Sequence, residues 1–77
     1  MDIRPLLIEQ RRIGDEFRVA EKSLLILRQL LLGRALDPAD RPGLEAGVAS
    51  RTAELERLGK RRLELDASVA AAALQAY

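Results

Sequence analysis

Two prolines and two glycines fall within Gly33-Arg34-Ala35-Leu36-Asp37-Pro38-Ala39-Asp40-Arg41-Pro42-Gly43, and this cluster decides what the chain can fold into. No single helix passes through it, because proline removes a backbone donor and clashes with the preceding turn. The cluster lies near the middle of a 77-residue chain. Both flanking halves carry helical periodicity. A short connection between two long helices favours antiparallel neighbours, so the pattern predicts a long antiparallel helical hairpin. Helix 1 is expected over about 3–33, the turn over 34–41 and helix 2 over about 42–76, all within one domain, 1–77. If the hairpin folds near Asp37, residues whose numbers sum to about 76 lie side by side.

The first half reads as a heptad seam. Ile3, Leu6, Gln10, Ile13, Phe17, Ala20, Leu24, Leu27 and Leu31 recur at alternating steps of three and four. Only Gln10 among them is polar, which is the pattern of a helix packed along another helix. Asp2 is the expected N-cap, with Pro5 in the first turn, where its missing N–H costs little. Gly14 lies off the seam and weakens the helix by up to ~1 kcal/mol relative to alanine. Gly33 is expected to close the helix in the left-handed conformation. Asp37-Pro38 reads as the cap of a single turn over 38–41, and Pro42 disfavours helical geometry at Arg41.

The second half has a seam of its own: Leu44, Val48, Arg51, Leu55, Leu58, Arg62, Leu65, Val69, Ala72 and Ala76. Arg51 and Arg62 interrupt it. Their stems can lie along the seam edge with the charged heads in water, or, like Gln10, they can fix register or partner choice. A second apolar stripe appears toward the end, in Leu63, Ala67, Ala70, Leu74 and Tyr77. Glu56 and Lys60 form a well-oriented i,i+4 pair.

One stretch exceeds what a hairpin can bury. In Leu24-Leu25-Ile26-Leu27-Arg28-Gln29-Leu30-Leu31-Leu32, seven of nine residues are large aliphatics, and they point in every direction around a helix. A surface helix ordinarily buries one stripe and wets the other side. A single neighbouring helix covers one face only, and a polar loop bearing Leu36 covers little of the rest. The expectation is that Leu24, Leu25, Ile26, Leu27, Leu30, Leu31 and Leu32, with the facing Leu44, Val48 and Leu55, bind a partner. Oligomerisation into a four-helix-bundle-like or coiled-coil assembly would then complete the fold. The partner is a second copy or a different protein, a homodimer being the simplest closure.

Composition narrows the function classes. There is no cysteine, hence no disulfide and no thiolate metal site, and no histidine, which removes the commonest general base and the usual zinc ligand. Short chains without such staples often gain buried area by oligomerising. Ser23, Ser50 and Ser68 have no base to activate them. Asp37 and Asp40 fall short of a Ca²⁺ ligand set, and Asp37 is better explained as a turn cap. No catalytic residue, cofactor, metal or small-molecule substrate is implied, and the chain does not read as an enzyme. Net charge is +1, without the basic excess of a dedicated nucleic-acid binder. The cluster Arg57, Lys60, Arg61 and Arg62, near Arg11 and Arg12 on the hairpin register, could grip phosphates. Acidic neighbours Glu9, Asp15, Glu16, Glu64 and Asp66 and the lack of interleaved aromatics favour a solvated ion-pair face. The start Met1-Asp2-Ile3-Arg4-Pro5 does not read as a signal peptide, and the apolar run, at half the ~20 residues needed to span a bilayer, contains Arg28. A cytoplasmic location is the expectation.

The outline is similar to that of the small helical-hairpin co-chaperones of type III secretion systems. The likeness lies in Leu27-Arg28-Gln29-Leu30-Leu31-Leu32-Gly33 before the turn and Ala53-Glu54-Leu55-Glu56 after it. It implies a helper that holds an aggregation-prone filament subunit together with a second chaperone. The chain's size also resembles that of Rop-type RNA-binding four-helix bundles, from whose compact turn the proline-rich connection departs. No site residue is carried over from either. The reading is therefore a non-catalytic interaction module of assembly, adaptor or co-chaperone type, with a secretion-apparatus subunit and a small RNA- or DNA-binding bundle as alternatives.

Overall fold

The computed structural model describes residues 2–75, and among them the chain is two α-helices with no strand. Helix α1 spans Arg4–Leu32 and α2 spans Arg41–Gln75. They run antiparallel as a hairpin measuring 59 × 14 × 14 Å.

Ile3, not Asp2, holds the capping position of α1 and offers no side-chain cap, while Asp2, one residue earlier, satisfies a free backbone donor. The Arg4 N–H donates to Asp2 Oδ1 at 3.0 Å, and the Arg4 side chain folds back onto the same carboxylate. Those bonds hold the Asp2 carboxyl below its ordinary range, the Arg4 guanidinium being the main cause. Residue Ile3 is already near helical geometry, and its carbonyl accepts the Leu7 N–H at 3.0 Å. The other end differs from expectation. Gly33 is extended, at φ −67° and ψ 138°, not left-handed. Its N–H reaches back to the Leu30 carbonyl at 3.2 Å, which tightens the last turn in place of a left-handed cap. A Cβ at Gly33 would meet that carbonyl oxygen at 3.2 Å, so glycine serves here by lacking a side chain.

In the connection, Asp37 caps a single turn: its Oδ1 accepts the Ala39 N–H and its carbonyl accepts the Asp40 N–H, both at 2.9 Å. Helix α2 begins at Arg41, one residue earlier than Pro42 suggested. The Asp40 carbonyl accepts the Leu44 N–H at 3.1 Å, so Pro42 falls in the first turn, where no N–H is needed.

The core is a narrow line between the helices. Ile13 and Ala20 from α1 meet Leu58 and Leu65 from α2, with Leu6, Phe17 and Leu55 packed against them, and Leu24 and Ala72 are buried further along the seams. All are seam residues. Register follows the expected sum: Gln10 donates to Asp66 Oδ1 at 2.5 Å, Gly59 faces Phe17, and Gly47 admits Leu27. Gln10, the polar member of the first seam, is thus paired across the hairpin. Arg51 and Arg62 are exposed at the seam edge. Arg51 pairs with Glu54 at 2.6 Å, and the Arg62 guanidinium lies over the Phe17 ring, 5.7 Å from its centroid. Seam residue Ala76 and stripe residue Tyr77 lie outside the described residues.

Candidate partner-binding surface

The aliphatic run divides into residues the hairpin uses and residues it leaves out. Leu24 is buried, and Leu27 and Leu31 are half-buried along the seam. Leu25 is 57% exposed, Ile26 49%, Leu30 52% and Leu32 85%. The helical period explains the split. Leu25 and Leu32, seven residues apart, share one flank of the seam, and Ile26 and Leu30, four apart, share the other. A hairpin gives α1 one neighbour, and one neighbour closes one stripe.

Leu44, Val48 and Leu55 are half-buried against α1. The structure therefore brings Leu24, Leu27, Leu31, Val48 and Leu55 together inside the hairpin. On its outside it places Leu25, Ile26, Leu30 and Leu32. Leu44 belongs to both settings, because it also lines an open apolar groove with Leu30 and Leu36. Leu36, from the connection, is half-buried beside Leu30, yet Leu30 stays half-exposed, so the loop covers the patch only in part. The opposite flank carries a groove with Leu24, Leu25 and Leu55 on its floor and Arg18, Glu21, Lys22 and Arg28 around its rim.

Val19, 66% exposed, extends the Ile26 flank toward the N-terminus. Its signal in the sequence is its position, seven residues before Ile26. Leu63 and Leu74 are the large exposed aliphatics of α2.

The basic cluster is divided by what its members already bind. Residues 57, 60 and 61, three and four apart, share one face of α2, and Arg62 lies about 100° round from Arg61. Arg61 donates from Nη2 to Glu9 Oε1 at 2.6 Å and from Nη1 to Glu64 Oε2 at 3.1 Å. These bonds, the one to Glu9 foremost, push its pKa further up. Arg62 is engaged with Phe17, and Arg57 and Lys60, one turn apart, make no ion pair among the described residues. Among the described residues no three carboxylates converge as a metal site would need, and no helix is long and apolar enough to cross a membrane. Comparison with protein-family models, with curated proteins and with solved structures finds no match to this chain.

Proposed function

We propose that this chain is a non-catalytic interaction module that buries the outer apolar surface of α1 against a second copy of itself or against a partner protein. The observation that carries the reading is the outward placement of Leu25, Ile26, Leu30 and Leu32 on both flanks of one turn-proximal segment. Contiguous exposed apolar surface of this kind usually marks an association site. Complete burial of one large aliphatic contributes about 1.5–3 kcal/mol. Leu25, Ile26 and Leu30 are already about half covered, so each has roughly half that left to give. Association costs of ~4–15 kcal/mol must be offset, which favours a partner that covers both flanks at once. A co-chaperone of the hairpin type is one such module, since its client would present a long apolar helix. Nucleic-acid binding is less well supported, because Arg61 is already bound to Glu9 and Glu64.

The test is the concentration dependence of thermal unfolding. Association makes the melting temperature rise with protein concentration. The wild-type chain, alone or mixed with its partner, is expected to show that rise. Ile26→Asp and Leu30→Asp, at positions already half in water, are expected to make that rise shallower than in wild type while leaving helicity intact. Equal concentration dependence in wild type and both variants would overturn the proposal.

A further inference from the structure

A second surface lies on the opposite helix, independent of the α1 patch. On the side of α2 that faces away from α1, positions recur at alternating steps of three and four from Ala46 to Leu74, and every one of them is exposed. Leu63 is 71% exposed and Leu74 78%. The remaining positions are alanines, except for Glu56 and Lys60 at the centre of the run. A solvated helix face has no need of leucines at this spacing, and a heptad repeat is the spacing at which a second helix packs.

From Ala46 to Ala70 the stripe is complementary to itself when reversed, Leu74 falling beyond the paired positions. Turn a second copy of α2 antiparallel about Leu58, the midpoint of Arg41–Gln75. Ala46 then meets Ala70 of the second copy, Ala49 meets Ala67, and the large Leu63 meets the small Ala53. Glu56 meets Lys60, and by the two-fold axis Lys60 meets Glu56. An isologous interface requires this reciprocity, in which residue i contacts j and j contacts i. Other alignments lose the pairing of opposite charges. A parallel pairing sets Glu56 against Glu56 and Lys60 against Lys60. Sliding the antiparallel pair by one heptad puts Glu56 against alanine and Lys60 against alanine or Leu63, depending on the direction, so the charge pairs are lost either way. The i,i+4 pair expected between Glu56 and Lys60 is not formed, and neither takes part in another ion pair among the described residues, so both can meet a second chain. We infer that the outer face of α2 is a homodimer interface, in which two copies pack antiparallel about Leu58 with Glu56 and Lys60 setting the register.

The chain has no cysteine of its own, so register can be read by introduced disulfides. The double variant Ala49→Cys/Ala67→Cys places a thiol opposite a thiol across the axis and is expected to oxidise to a covalent dimer. Ala46→Cys/Ala53→Cys carries two thiols on the same face but out of register. Its nearest intermolecular pair, position 53 against position 53 of the second copy, is displaced by roughly 15 Å along the helices at 1.5 Å per residue, still far beyond disulfide reach, and it is expected to stay monomeric on denaturing gels. The in-register cross-link should persist when Leu30→Asp is added, which separates this interface from the α1 patch. Glu56→Lys should abolish it, as should Lys60→Glu, and mixing the two charge variants should restore it as a heterodimer. All of these positions are exposed, so none of the changes threatens the hairpin. Failure of the in-register pair to cross-link, equal cross-linking by the out-of-register pair, loss of the cross-link with Leu30→Asp, or no restoration on mixing would each overturn the inference.

Discussion

Gly14 and Gly47 read alike in the sequence, each a glycine inside a helix, yet they do different things. A Cβ at Gly14 would meet nothing within 4 Å, whereas at Gly47 it would meet Leu27 Cδ1 at 3.3 Å. Gly14→Ala is therefore expected to raise the melting temperature, through a helix-propensity gain of up to about 1 kcal/mol, which shifts a domain of this size by roughly 4–8 °C. Gly47→Ala is expected to gain less or to lose, because Leu27 must move aside. Thermal unfolding followed by circular dichroism ranks the two. Asp2 supplies a pH-dependent term at the same scale. Its carboxyl is held below the ordinary range by Arg4, so the stability it contributes is present above the ordinary carboxyl pKa and is lost as pH falls through the lowered one. Asp2→Ala should flatten the acid end of the stability curve. Which glycine touches a neighbour was not legible in the sequence, since propensity is local and Leu27 is twenty residues from Gly47 along the chain.

At the scale of the helices, most of the fold was legible. The two seams located the core because a heptad repeat maps directly onto one face, and Ile13, Leu24, Leu58 and Leu65 are buried there. The conformation of Gly33 was not legible, since an extended and a left-handed glycine end a helix equally well. Leu65, at 1% exposure, is the most completely buried large side chain. Leu65→Ala is expected to cost about 2–5 kcal/mol, enough to unfold a hairpin with so thin a core, and denaturant titration measures it. Of the basic cluster on α2, Arg61 is tied up by Glu9 and Glu64 and Arg62 by Phe17. A mobility-shift titration at ~150 mM salt is expected to show no nucleic-acid binding near the specific range of ~10⁻⁸ M. Tight binding that Arg61→Ala and Arg62→Ala abolish would contradict that expectation.

The molecule as a whole is a rod two helices wide, 59 Å long and 14 Å across. Such a shape has almost no interior. Each helix covers one stripe of the other, and what the sequence places beyond that stripe stays on the surface. The surplus was legible as composition: seven aliphatics in nine residues cannot share one face. Which of them would be left outside depended on the register of the turn, and it is Leu25, Ile26, Leu30 and Leu32. The central claim is that this surface exists to be covered. Sedimentation equilibrium at ~100 μM, far above the micromolar range in which modest interfaces form, tests it most directly. The account predicts a wild-type mass above that of one chain, and a lower mass for Ile26→Asp and Leu30→Asp. A wild-type chain that remains a cooperatively folded monomer at that concentration, with the same mass as both variants, would contradict it.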